Sequence, residues 1–304
     1  MGAVKSYSGL PIWARSFTSE RGEAVNDTSS QNNSSLSDKT PSFHYEADDV
    51  DIKGHNLPAL KAKFLLNEVP DRSVILEVGC GGGKMLRTIA KHRPSAVLLG
   101  CDINLPGRTD LGFEFRQLPR DGAHLPYPDH SVDAVLLFDV LEHVRDPRSL
   151  VAEIARVVRP GGLLIAYVPV EGERFSWYTI FRYALGHDLY AVTKDHIQAF
   201  RHTEVEEMIG QHFNIQKRQY AYHLIGHLMD ALFFASLRIP KLNSLYWTQS
   251  PFHTSSDRPR SFVGRCFGNA LIAANTAAWA ESKLLSRIRL SSAGILLTAG
   301  PGSQ

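Results

Sequence analysis

The sequence predicts an α/β fold, a largely parallel sheet flanked by helices, and three observations predict it. First, an apolar strand, Val74-Ile75-Leu76, runs through Glu77-Val78 into Gly79-Cys80-Gly81-Gly82-Gly83-Lys84 and on into the helical run Met85 to His92. Strand, glycine turn and helix form the first half of a nucleotide-binding crossover. Second, another apolar strand, Ala96 to Cys101, ends in Asp102, where a carboxylate can accept hydrogen bonds from both hydroxyls of a ribose. Third, the apolar runs Ala134 to Phe138 and Leu163-Leu164-Ile165 are separated by Leu150, Ile154, Val157 and Val158 at helical spacing. Strands and helices that alternate in this way build a parallel sheet.

Taken in order, residues 1–50 read as a disordered arm, because Asn26 to Ser35 is too polar to bury a core. Leu57 to Val69 predicts a helix ahead of the first strand. Glycines at 79, 81 and 83 let the chain turn sharply and let a ligand approach it without meeting a Cβ. Phe113 to Leu118 alternates as a strand does. Little room, with Pro106 and Gly107 in it, separates that strand from Asp102, so a full crossover helix barely fits. Thr203 and Glu206 have capping-box spacing and predict a helix from about Thr203 to Gln211. Phe213 to Tyr220 and Gly294 to Ala299 read as strands.

In this order the Glu77–Lys84 turn, Asp102, the Asp121–Asp133 loop, the Asp139–Val144 turn and the sharp Pro160-Gly161-Gly162 turn closely resemble the class I S-adenosylmethionine-dependent methyltransferases. The likeness is to the branch with small-molecule and lipid acceptors, over residues 55–221. The resemblance implies a Rossmann-like seven-stranded methyltransferase sheet with helices on both faces. Its last strand would be antiparallel and would begin near residue 293. Residues 51–221 would then be the core, and residues 222–292 a helical insert where the family usually has a tight hairpin. In that insert Leu224, Ile225, Leu228, Met229, Leu232 and Phe233 share a helical face. Eight Lys or Arg against three Asp or Glu make it basic. Such a segment can be a lid over the acceptor pocket or can lie on an anionic membrane surface.

Composition excludes several other classes. A formal net charge of +2 gives no basic field for nucleic acid. Three scattered cysteines argue against a disulfide framework or a zinc site. No secretory leader is visible and the longest apolar runs fall short of a membrane span, so a reducing cytoplasm, with contact at the inner face of a membrane as an option, is the expected location.

The family resemblance also assigns roles. Cofactor contacts are implied for Glu77, Gly79, Cys80, Gly81, Gly83, Asp102, Ile103, Asp121, Gly122, Ala123 and Asp139. Glu77 would orient the glycine loop and the methionine amino end, or be a plain strand-end carboxylate. Asp102 would hold the ribose, or cap a helix. Asp121 would accept from the adenine amino group, flanked by the backbone of Gly122 and Ala123, and Asp139 would meet the methionine portion. His143 and His196 are the candidate catalytic bases; each can equally be a packed histidine. His223, His227 and Asp230 have a spacing that can hold a metal, but with no further ligand evident no metal is expected. An NAD-dependent oxidoreductase and a non-catalytic cofactor-binding scaffold are the alternative readings.

Overall fold

In a computed structural model, the described residues are 49–107, 109–119, 124–174, 176–180, 196–236, 239, 241–242 and 262–302. The expected N-terminal arm, up to residue 48, lies outside them. Helix α1 (Leu57–Glu68) starts where Asn56 Oδ1 accepts the Ala59 N–H at 2.9 Å and Pro58 occupies the first turn. It leads into β1 (Val74–Val78), α2 (Lys84–His92) and β2 (Val97–Asp102). No helix occupies the described residues between β2 and β3 (Glu114–Gln117), as the short connection requires. Then follow β4 (Val132–Phe138), a single 3₁₀ turn (Leu141–His143), α3 (Pro147–Val157) and β5 (Val158–Pro169). Helix α4 (His202–Gly210), β6 (Phe213–Ala221), α5 (Leu224–Ser236), α6 (Phe262–Leu284) and β7 (Gly294–Pro301) complete the described elements.

The strands form a seven-stranded sheet in the order β3-β2-β1-β4-β5-β7-β6. The first five are parallel, and β7 runs antiparallel between β5 and β6. β1 is buried along its whole length, which is why Val74 to Val78 reads as apolar with one exception, Glu77. Leu65 of α1 and Leu86 and Ile89 of α2 share one core with Ile75, Leu136, Ile165 and Leu296 of the sheet. Helices α3 and α4 pack on each other and against β5 and β6 respectively. Strand order reverses between β1 and β4, and ligands of open α/β sheets bind at the carboxyl ends of the strands at such a point. There the glycine turn after β1 and the 3₁₀ turn after β4 lie side by side: a Cβ on Gly79 would be 2.5 Å from Val140 Cγ2.

Two local expectations are corrected. The capping contact at α4 is made two residues earlier than the Thr203–Glu206 spacing suggested: Glu204 Oε2 accepts the Arg201 N–H at 2.7 Å, so the helix starts at His202. Glu206 pairs instead with Arg218 of β6. In α5 the buried residues are His223, just ahead of it, then Gly226, His227 and Ala231, while Leu224, Ile225 and Leu232 are exposed. Leu228 and Met229 are half-buried and Met229 packs on the core, so among the described residues only part of the apolar stripe packs. A Cβ at Gly226 would fall 2.4 Å from the Tyr222 ring, so close approach selects the small residues.

Candidate active site

The glycine turn divides its work between packing and ligand. A Cβ on Gly83 would sit 2.1 Å from the Phe113 ring, and its φ of +74° belongs to the left-handed region; this glycine is needed by the fold. Gly81 has φ +48° and a Cβ there would meet nothing within 4 Å. It faces open space, the place where a ligand can lie against the backbone. Cys80 is buried with its thiol pushed up by burial, so its side chain belongs to the core and only its backbone can face a ligand.

At the end of β2, Asp102 Oδ2 accepts the Gly81 N–H at 2.9 Å and Oδ1 accepts the Asn104 N–H at 2.8 Å. The acid is thus locked beside the open glycine. Ile103 is 45% exposed next to it, with its carbonyl accepting from Gln117. Glu77 ends the chemistry of β1. It is buried, its Oε2 has no hydrogen-bond partner among the described residues, and burial pushes its carboxyl up to about 8. A buried carboxylate oxygen without a donor is costly unless a ligand supplies one. Asp121, Gly122 and Ala123 lie outside the described residues.

After β4 the chain passes through Asp139 at φ +53°. Asp139 Oδ2 accepts a hydrogen bond from Lys61 Nζ, an ammonium buried in α1 and lying 3.8 Å from the centroid of the Tyr167 ring. Sequence reasoning missed Lys61, although it sits four residues from both Leu57 and Leu65, on the apolar side of its helix. The following turn buries Glu142 almost completely. Neither of its oxygens has a hydrogen-bond partner among the described residues, and burial with the nearby Asp139 charge pushes it up to about 8.

The structure brings both candidate histidines to this turn. The His143 and His196 rings meet edge to face at 4.7 Å between centroids. His196 is held by two contacts. Its Nδ1 lies 2.7 Å from Glu171 Oε1, and the next two residues, Ile197 and Gln198, both donate their N–H to the Glu142 carbonyl, at 2.9 and 3.1 Å. Glu171, just beyond β5, was not expected; its one signal was an acid following the apolar run that ends in Val170. From the insert, Asp230 accepts a hydrogen bond from Tyr178, and burial raises its carboxyl to about 6. His223, His227 and Asp230 do not gather as ligands. His223 Nε2 is 2.7 Å from the Ile288 carbonyl, while the His227 ring lies 5.0 Å from that of Tyr178.

Residues 76–166 match the Methyltransf_11 family model, a methyltransferase domain. The chain is 36% identical to the tRNA (carboxymethyluridine(34)-5-O)-methyltransferase of Arabidopsis thaliana, over 36% of this chain and 27% of that one. It is 31% identical to the ubiquinone biosynthesis O-methyltransferase of Vibrio vulnificus, over 36% of this chain and 49% of the other. It therefore spans less than half the length of either relative. Among solved structures, the MccD protein superposes with a TM-score of 0.51 at 12% identity, covering 81% of this chain and 98% of that one. The [4+2]-cyclase SpnF gives 0.50 at 18%, covering 86% and 89%; at such identities the likeness is one of fold.

Residues 76–166 are thus similar to a methyltransferase domain, set in a sheet with the strand order of the class I S-adenosylmethionine-dependent methyltransferases. The residues present fit the cofactor of that class. Glu77 has a buried oxygen awaiting a donor, which the methionine ammonium would supply. Gly81 leaves room against the backbone, and Asp102 stands beside it for the ribose hydroxyls.

Proposed function

We propose that this protein transfers the methyl group of S-adenosylmethionine to a small-molecule or lipid-linked acceptor held at the carboxyl ends of β4 and β5. The observation that carries the reading is the orphaned Glu77 oxygen at the switch point, with Asp102 and the open Gly81 beside it. Bound there, the cofactor supplies an activated methyl on a sulfonium. The sulfur leaves as a neutral thioether and needs no proton, so the protein's tasks are alignment and exclusion of water. An acceptor hydroxyl must still lose its proton, and the Glu142–His143–His196 cluster, with Glu171 orienting His196, is the group of side chains suited to assist that loss.

Support for a compact acceptor comes from the insert. Trp177 donates to the Leu224 carbonyl at 3.3 Å and Tyr178 to Asp230, and Asp230 feels the charges of Glu171, His196 and Asp139. These contacts at Leu224 and Asp230 support reading the insert as a lid on the acceptor side of the site. The exposed Leu224, Ile225 and Leu232, in an insert with eight Lys or Arg, suit peripheral contact with an anionic membrane. No helix among the described residues is long and apolar enough to cross one. Three free cysteines suit a reducing cytoplasm.

Calorimetry with S-adenosylhomocysteine and with NAD tests the cofactor; binding of NAD alone would overturn it in favour of an oxidoreductase. Radiolabelled S-adenosylmethionine, incubated with the protein and separate small-molecule, lipid and tRNA fractions, tests the acceptor. Label confined to the tRNA would sink the small-molecule reading, and cofactor binding with no transfer to any fraction would favour a scaffold.

A further inference from the structure

The geometry points to a divalent-cation site formed by Glu142, His143 and His196, just beyond the carboxyl end of β4. One ligand atom from each of these residues can be chosen so that all lie within 4.8 Å of one another, and His143 Nε2 stands 3.9 Å from Glu142 Oε1.

Proximity alone would say little. The second observation is Glu142 itself. Its side chain is 1% exposed and neither oxygen accepts a hydrogen bond among the described residues. Buried carboxylates are normally satisfied by donors or by a cation. The nearby ammonium of Lys61 is already engaged with Asp139, and Asp139 adds negative charge to the same turn.

A third observation concerns His196. Its Nδ1 lies 2.7 Å from Glu171 Oε1, a contact that favours the tautomer protonated on Nδ1. A carboxylate behind a histidine in this way fixes the ring and raises its basicity as a ligand. The two main-chain bonds from Ile197 and Gln198 to the Glu142 carbonyl hold the segment bearing one ligand against the segment bearing the other two.

Two imidazoles and one carboxylate leave coordination positions open, and mixed nitrogen and oxygen donors favour Mn²⁺, Fe²⁺, Co²⁺ or Zn²⁺ over Mg²⁺ or Ca²⁺. On an open position an acceptor hydroxyl would give its proton to solvent more readily. Its oxygen would then form the O–CH₃ bond while the C–S bond breaks, the electron pair going to sulfur. This role rests on the methyltransferase reading; the site itself does not. His196 then acts as a ligand and not as the group that takes the proton.

The full chain, treated with a chelator and dialysed, would be titrated with Mn²⁺ alone and followed by calorimetry and by the loss of the free-ion electron paramagnetic resonance signal. One ion per chain is expected. Glu142→Gln, nearly isosteric, and His143→Asn, at a partly exposed position, should each weaken uptake by about tenfold or more with unchanged circular dichroism. No uptake of Mn²⁺, Co²⁺ or Zn²⁺, or uptake indifferent to both substitutions, would overturn the site. S-adenosylhomocysteine binding to the same preparations separates the two readings. Cation uptake without it would leave the site standing and the methyltransferase reading fallen, and the converse would leave the reverse.

Discussion

Lys61 and Asp139, on α1 and just past β4, form an ion pair whose two members are unequally buried: the lysine side chain is 7% exposed and the aspartate 48%. That asymmetry decides what each loss costs. Asp139→Asn leaves a buried ammonium uncompensated, whereas Lys61→Met leaves a carboxylate that water can reach. Urea unfolding should therefore show Asp139→Asn costing about 2–4 kcal/mol, with Lys61→Met costing distinctly less. A reversed order would mean that the pair does not keep the lysine charged in place.

Glu77 should make cofactor binding proton-coupled. In the free protein its carboxyl is held up to about 8, from 4.5, so near neutrality it carries a proton that an incoming ammonium would expel. The affinity for S-adenosylhomocysteine should rise with pH until about 8 and then level off. Calorimetry at pH 7 in two buffers of different ionisation enthalpy should show net proton release, abolished in Glu77→Gln. The sign for stability is opposite. With the folded value above the unfolded one, the free protein loses stability as pH climbs from about 4.5 to about 8. A thermal melting point that rises over this interval, and does so in wild type but not in Glu77→Gln, contradicts the assignment.

The two outer roles in the glycine turn separate by mutation. Gly81→Ala meets only the left-handed backbone penalty, about 1–2 kcal/mol, yet puts a methyl where the cofactor should lie. Gly83→Ala bears the same penalty and also drives a methyl into the Phe113 ring, about 1–3 kcal/mol more. Chemical denaturation should rank Gly83→Ala as the less stable. Titration should show Gly81→Ala folded but at least about tenfold weaker for S-adenosylhomocysteine. Normal affinity in a folded Gly81→Ala protein would remove that glycine from the site.

On the proposed role of Asp102, replacing it by Ala would remove charge-assisted bonds to the ribose hydroxyls, about 1.5–3 kcal/mol. The expected loss is about tenfold or more in cofactor affinity. Because the same carboxylate accepts the Gly81 and Asn104 N–H groups, Asp102→Asn should recover part of the affinity by keeping one acceptor oxygen. Equal affinity in wild type and Asp102→Ala would place the ribose elsewhere.

What the sequence disclosed follows the range of the interactions. The glycine turn, Asp102 and the alternation of strands and helices are local patterns, and the structure has them within a residue or two of where they read. Lys61 carried a local anomaly, a charge on an apolar face, but its meaning depends on Asp139, 78 residues away. Glu171 gains its sense only from His196, across a stretch the sequence leaves without pattern. Helix α5 was misread for another reason. Its apolar residues share one face, but periodicity carries no measure of backbone approach, and the more buried side is the one with Gly226, which lies close to Tyr222.

Ala221, the last residue of β6, pairs directly with Gly294, the first of β7. Everything between them therefore departs from and returns to adjacent points on one hairpin. Closing so long an excursion costs only about 2–3 kcal/mol more than a tight turn, because the entropy grows with the logarithm of length. The ladder it interrupts is complete without it. On the proposed reading of this segment as a lid, acceptor choice can diverge as a module: one segment could be exchanged for another of different length and chemistry while β1, β2 and β4 keep their register unchanged.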